Sequence, residues 1–258
     1  MASNMSTIGF AFQGEHEFQN TMVRLAEAAR ERLSCSAGEY AIWRSRTGVE
    51  IWFHLQAVSA GSEGERGIDG LTPFFEGSHA TTLAVDTMIS RPGDNAFEGA
   101  FSGWVGGDDE AGSYPMVFDA VDFAAHRDRA LPATWNVRLS AFARELKAFA
   151  SVEDYYDARG DEPSFAPQAF VPIGLFAAAS EEDDGGRLPP SSQALLTGRV
   201  LETQLLRNEE TGRAFHWLSV ESLGATLDVV ADPDIVSGEI VAGGTVEVVC
   251  LLFGRILD

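Results

Sequence analysis

Short β-prone runs, cut by tight glycine, proline and aspartate clusters, constrain this chain more than any other feature. Runs near 80–90, 97–105 and 114–121 are separated by Pro92-Gly93-Asp94-Asn95 and Gly106-Gly107-Asp108-Asp109. Regular punctuation of this kind predicts an antiparallel meander rather than βαβ units. A hairpin is expected upstream, where Tyr40–Trp43 and Val49–Phe53 flank a short turn ending at Gly48. Residues 59–70 are rich in Gly, Ser and Glu and read as a solvated loop.

Helical spacing occurs twice. Phe18, Met22, Leu25, Ala26, Ala29 and Leu33 predict an amphipathic helix over 15–33. Thr134–Leu139 reads as a strand, after which Phe142, Leu146 and Phe149 turn helical from about Ser140. The stretch 158–193 carries five prolines and the acidic run Ser180–Gly186, and marks the expected boundary. Its apolar residues, among them Phe165, Phe170 and Phe176, suit a segment packed along a surface rather than a free linker.

After 193 the pattern is nearly pure β. A long run over 195–206 contains Gly198; runs 215–221 and 226–231 follow; Asp232-Pro233-Asp234 starts a short helix or turn; and 245–257 closes the chain with Gly254 inside it. This tract, 194–258, resembles a small OB-type β-barrel, with Gly198 and Gly254 where a strand must bend sharply. It shows four strands where that fold has five. The expected class is therefore α+β: an antiparallel sheet with flanking helices over 1–157, a connecting segment over 158–193, and an OB-like barrel over 194–258.

Charge filters the partners. Thirty-nine acidic against 18 basic residues leave a formal net charge of -21. Such a surface repels phosphate backbones and anionic membranes, and steers toward a basic protein. OB-type barrels bind single strands or oligosaccharides through aromatics in a basic groove. Phe215 and Trp217 share one strand face and are the candidate binding residues, but four Arg against ten acids over 194–258 is the wrong sign for nucleic acid.

Chemistry-bearing motifs are sparse. Gly99-Ala100-Phe101-Ser102-Gly103 misses the hydrolase elbow by one residue. Asp119, Asp122 and His126 are the closest acid–base cluster and the candidate catalytic residues; on a helix they would share a face, but Phe118, Val121 and Phe123 make the segment a strand running into a loop. No metal centre and no cofactor is expected. Cys35 and Cys250 are too few for a disulfide scaffold, and the start lacks a signal-peptide pattern, so a cytoplasmic location is expected. The resulting expectation is a non-enzymatic, macromolecule-binding protein of bacterial type, immunity-like or inhibitor-like. The alternative is a hydrolase or transferase with a site assembled from dispersed residues. A second copy pairing along the closing strand 245–257 is a further expectation.

Overall fold

The computed structural model describes residues 3–57, 66–106, 114–160, 165–176 and 189–257. In chain order the elements are α1 (Glu15–Ala28), β1 (Glu31–Cys35), β2 (Gly38–Arg44), β3 (Val49–Ala57), β4 (Arg66–Phe75), β5 (Ala80–Ile89), β6 (Ala100–Val105) and β7 (Tyr114–Ala120). There follow α2 (Phe123–His126), β8 (Ala133–Phe149), α3 (Val152–Asp157), β9 (Ala169–Val171), β10 (Gln193–Arg207), β11 (Ala214–Ser222), β12 (Ala225–Ala231), β13 (Val236–Ser237) and β14 (Thr245–Leu257).

One ribbon organises the larger sheet. β8 runs antiparallel to β14 through thirteen residue pairs, from Asn136–Leu257 to Phe149–Thr245. Each strand changes partner along its other edge. β8 pairs with β5 over 133–138 and then, in parallel, with β12 over 140–142. β14 pairs with β10 over 245–251 and then, in parallel, with β7 at 253–254. Two closed rings result, β5-β6-β7-β14-β8 and β10-β11-β12-β8-β14, with the ribbon in common. Closure pairs strand edges that an open sheet would expose.

Alternation then builds the interior. Trp135, Val137, Leu139, Ala141 and Ala143 of β8 face inward, as do Val246, Val248, Cys250 and Leu252 of β14. A single apolar cluster runs through both rings. The opposite face of the ribbon carries Phe142 and Phe253, joined by Phe215 and Val230. Over this face lies a separate antiparallel sheet, β1-β2-β3-β4, which contributes Tyr40, Trp52, Phe53 and Phe74. At Gly198 a Cβ would lie 2.5 Å from Val220, and at Gly254 it would lie 2.3 Å from the Phe118 ring. Both glycines therefore sit where a neighbouring strand leaves no room for a side chain.

The α+β expectation is corrected by these pairings. Strands hold 53% of the described residues and helices 15%, in two sheets with only three short α-helices. The flanking helices do not exist as such. α1 ends at Ala28, and residues 31–35 pair with β2 instead of continuing the helix to 33. β8 stays a strand to Phe149, because a bulge at Arg144, opposite Val249 and Cys250, switches the inward face. Phe142 thus points to the outer cluster and Leu146 to the inner one, although their spacing imitates a helix. The barrel is not a free-standing unit of 194–258. Its ring takes its fifth strand from β8, on the far side of 158–193.

Residues 66–70 of the expected loop belong to β4, while 58–65, the turn at 107–109 and the acidic run 180–186 lie outside the described residues. β14 is paired on both edges over 245–254, so the open edge expected there is absent. Among the described residues no helix is long and apolar enough to cross a membrane.

Phe142 is fully buried between ribbon and covering sheet, its ring 4.8 Å from that of Phe253. Phe142→Ala is expected to destabilise the fold by about 3–5 kcal/mol. A urea midpoint measured against wild type checks this, and an unchanged midpoint would contradict the packing described.

Candidate functional site

An open cleft of about 660 Å³ forms where the covering sheet meets the second ring. Arg44 and Glu76 supply one wall, Arg138 the base, and Gln204, Leu206 and Trp217 of the β10–β11 hairpin the other wall. Beside it lies Asp228 on β12, fully buried. Its Oδ1 accepts the Trp217 indole N–H at 2.8 Å. Its Oδ2 accepts the His79 backbone N–H at 3.1 Å and lies 3.3 Å from His79 Nδ1. Gly77 packs directly on this carboxylate: a Cβ there would stand 2.0 Å from Asp228. Two donors and an aspartate thus hold the 76–79 connection against the ring.

His79 also lines a second cleft of about 410 Å³, with Thr81, Thr82 and Thr226. Ser78 Oγ lies 3.4 Å from the same Nδ1 that faces Asp228. Serine and aspartate therefore share one ring nitrogen, whereas a Ser-His-Asp relay needs one on each.

Charge at the cleft is paired inside the protein. Arg138 and Arg255 are direct cross-strand neighbours in the ribbon, a like-charge pair that costs stability on its own. The covering sheet brings carboxylates to them. Glu76 Oε1 lies 2.7 Å from Arg138 and 3.5 Å from Arg255, and Glu50 Oε1 lies 3.6 Å from Arg255. Arg44 Nε completes the network at 2.6 Å from Glu50 and 2.9 Å from Glu76. Glu50 is fully buried and accepts the Trp52 indole N–H at 2.7 Å. Burial raises its carboxyl above the usual range, against the lowering effect of Arg44, Trp52 and Arg255.

The sequence candidates separate in space. Asp119, on β7, is held by Arg91 at 2.6 Å and Ser192 at 2.6 Å in a different cleft, of about 270 Å³. Asp122 and His126 do come together, because the short helix α2 places them one turn apart: Asp122 Oδ2 lies 3.2 Å from His126 Nε2 and accepts the Ile256 N–H at 3.0 Å. Both are buried, away from the Asp119 cleft, and tie α2 to β14. Phe215 and Trp217 share a face as expected. Phe215 is fully buried against Phe75, with ring centroids 6.0 Å apart, whereas Trp217 is half-buried in the cleft wall.

Sequence reading missed His79 and Asp228, which are 149 positions apart. The one available signal was an aspartate inside the apolar run Thr226–Ala231. Among the described residues no group of three or more His, Cys, Asp or Glu could hold a metal ion. No protein-family model matches the chain, and no curated protein or solved structure does either.

The most strongly displaced histidine is away from both clefts. His54 is fully buried on β3, stacked 5.0 Å from Phe97, and burial lowers its pKa to about 4. Its partners fix the proton. Asn95 Oδ1 accepts the Phe97 N–H at 2.8 Å, so the Asn95 amide nitrogen faces His54 Nδ1 at 3.2 Å as a donor. Nδ1 must accept, and Nε2–H donates to Thr72 Oγ1 at 3.2 Å. The folded state keeps His54 neutral while the unfolded chain protonates it near 6.5. Stability is therefore present at neutral pH and is lost as pH falls from 6.5 toward 4. The expected loss from this group is about 3 kcal/mol, read from urea unfolding across that window. A His54→Asn variant should show a correspondingly flatter pH profile.

Proposed function

We propose that this chain is a non-enzymatic binding protein whose partner is a basic protein, in the manner of an immunity or inhibitor protein. The distribution of charge carries this reading. At least nine of the 18 basic residues are engaged in internal ion pairs, those of Arg44, Arg138 and Arg255 among them. Many acids stand outside: Glu15 and Glu17 on α1, Glu153, Asp154 and Asp157 on α3, and Asp234 and Glu239 before β14 are exposed. Cations paired within the chain and carboxylates left at the surface give a field that steers a basic partner.

Capture experiments at low and high salt test the reading. A basic protein retained at low salt and released at high salt is expected, with weaker retention by the variant Glu153→Gln/Asp154→Asn/Asp157→Asn. Retention of no basic protein, or retention insensitive to salt, would overturn it.

One observation favours the alternative, a hydrolase or transferase. Asp228 engages His79 through Nδ1, which leaves Nε2 for general-base chemistry at the 410 Å³ cleft. That reading requires turnover of an activated ester, amide or phosphate substrate by the purified chain, and its loss in His79→Gln. No turnover by wild type removes it.

A further inference from the structure

The rings leave one strand edge of unusual composition. Val200 is bonded to Gly243 and Gly244, which ends the pairing of β10 on the β14 side. From Leu201 to Arg207, β10 has no described partner on that side, while Glu202–Arg207 pair with β11 on the other. Edge strands are usually protected by charge or proline. β1 is guarded by Glu31 and Arg32, and β4 by Pro73. The stretch Leu201–Leu206 contains one charged residue and no proline, and exposes Leu201 by 44% and Leu205 by 59%.

Local charge decides what can pair there. The tract 199–213 holds three Arg (199, 207, 213) and three Glu (202, 209, 210), and is neutral within a chain of net charge -21. A strongly basic segment has little to attract it at this edge. A second copy meets little net repulsion from this tract, in contrast to the acidic average of the chain.

The sequence of the edge is also self-complementary. Antiparallel pairing about Thr203 sets Leu201 opposite Leu205 of the second copy and Glu202 opposite its Gln204, each twice by symmetry, with Thr203 facing Thr203. Gln204 Nε2 already donates to Glu202 Oε1 at 2.9 Å within the strand, so the same donor and acceptor are available across the axis. Leu201, at one end of this stretch, is itself the extra residue of the β10–β11 bulge, which limits the pairing to these few residues. We infer that the chain forms a twofold dimer through the open edge of β10, in the register centred on Thr203. The contact is small, so the dimer is a weak, concentration-dependent one.

Sedimentation equilibrium of the full chain, from micromolar to submillimolar concentration at low and high salt, tests this. The expected result is a monomer–dimer equilibrium rising toward twice 27.8 kDa, and stronger at high salt because screening relieves the acidic repulsion. Leu205→Lys, a change at an exposed position, should weaken it about tenfold or more. Adding Leu201→Glu should restore it, because this register alone sets position 201 against position 205 of the second copy. Circular dichroism and melting temperature monitor folding of both variants. A monomer under all conditions, a dimer indifferent to Leu205→Lys, or a double variant that stays monomeric would each overturn the inference. The capture of a basic partner is read separately and shows the opposite salt dependence.

Discussion

The pairing of β8 with β14 is the constraint on which the rest of the structure depends. Thirteen residue pairs hold together two strands from distant parts of the chain, and each strand closes a different ring with each half of its free edge. The ribbon also sets an electrostatic condition. Its register places Arg138 against Arg255, and that juxtaposition is tolerable only because Glu76 lies beside both and Glu50 beside Arg255. The covering sheet is thus a source of counter-charge as well as apolar area. Removing a partner of the fully buried Glu50 leaves that carboxylate uncompensated, which costs more than the pair itself contributes.

This arrangement explains why the clefts look polar and yet are committed. The guanidinium groups of Arg44 and Arg138 at the 660 Å³ cleft are each bonded to carboxylates of the same chain. Asp228 is occupied by Trp217 and His79. The strongly displaced groups, Tyr40 pushed up, His54 lowered to about 4 and Cys250 raised to about 12, owe it to burial in the body of the fold. Polar side chains here hold layers together, and the acidic excess is left to the exterior.

Much of the local structure was legible. Punctuation located β5, β6 and β7, and Gly198 and Gly254 marked close packing within β10 and β14. What escaped was whatever depends on distant partners. The bulge at Arg144 made a strand look helical by moving Phe142 and Leu146 to opposite faces. The fifth strand of the second ring was uncounted because it precedes the other four by more than forty residues. Asp119, Asp122 and His126 are near in sequence, yet only the last two meet, because β7 ends between Asp119 and the helix that carries them. Phe215 and Trp217 were correctly placed on one face, but a sheet from the other end of the chain covers half of it.

Synthesis proceeds from the N-terminus, and β14 belongs to both rings. Neither can close on the ribosome until that strand has emerged, however early β5–β7 or β10–β12 have formed their hairpins. The nascent chain must therefore carry open sheet edges and bare apolar faces until β14 is made, and then bury them together in one long-range step. For a protein built this way the dangerous moment is its birth, and the acidity that repels like chains is also what keeps unfinished copies apart.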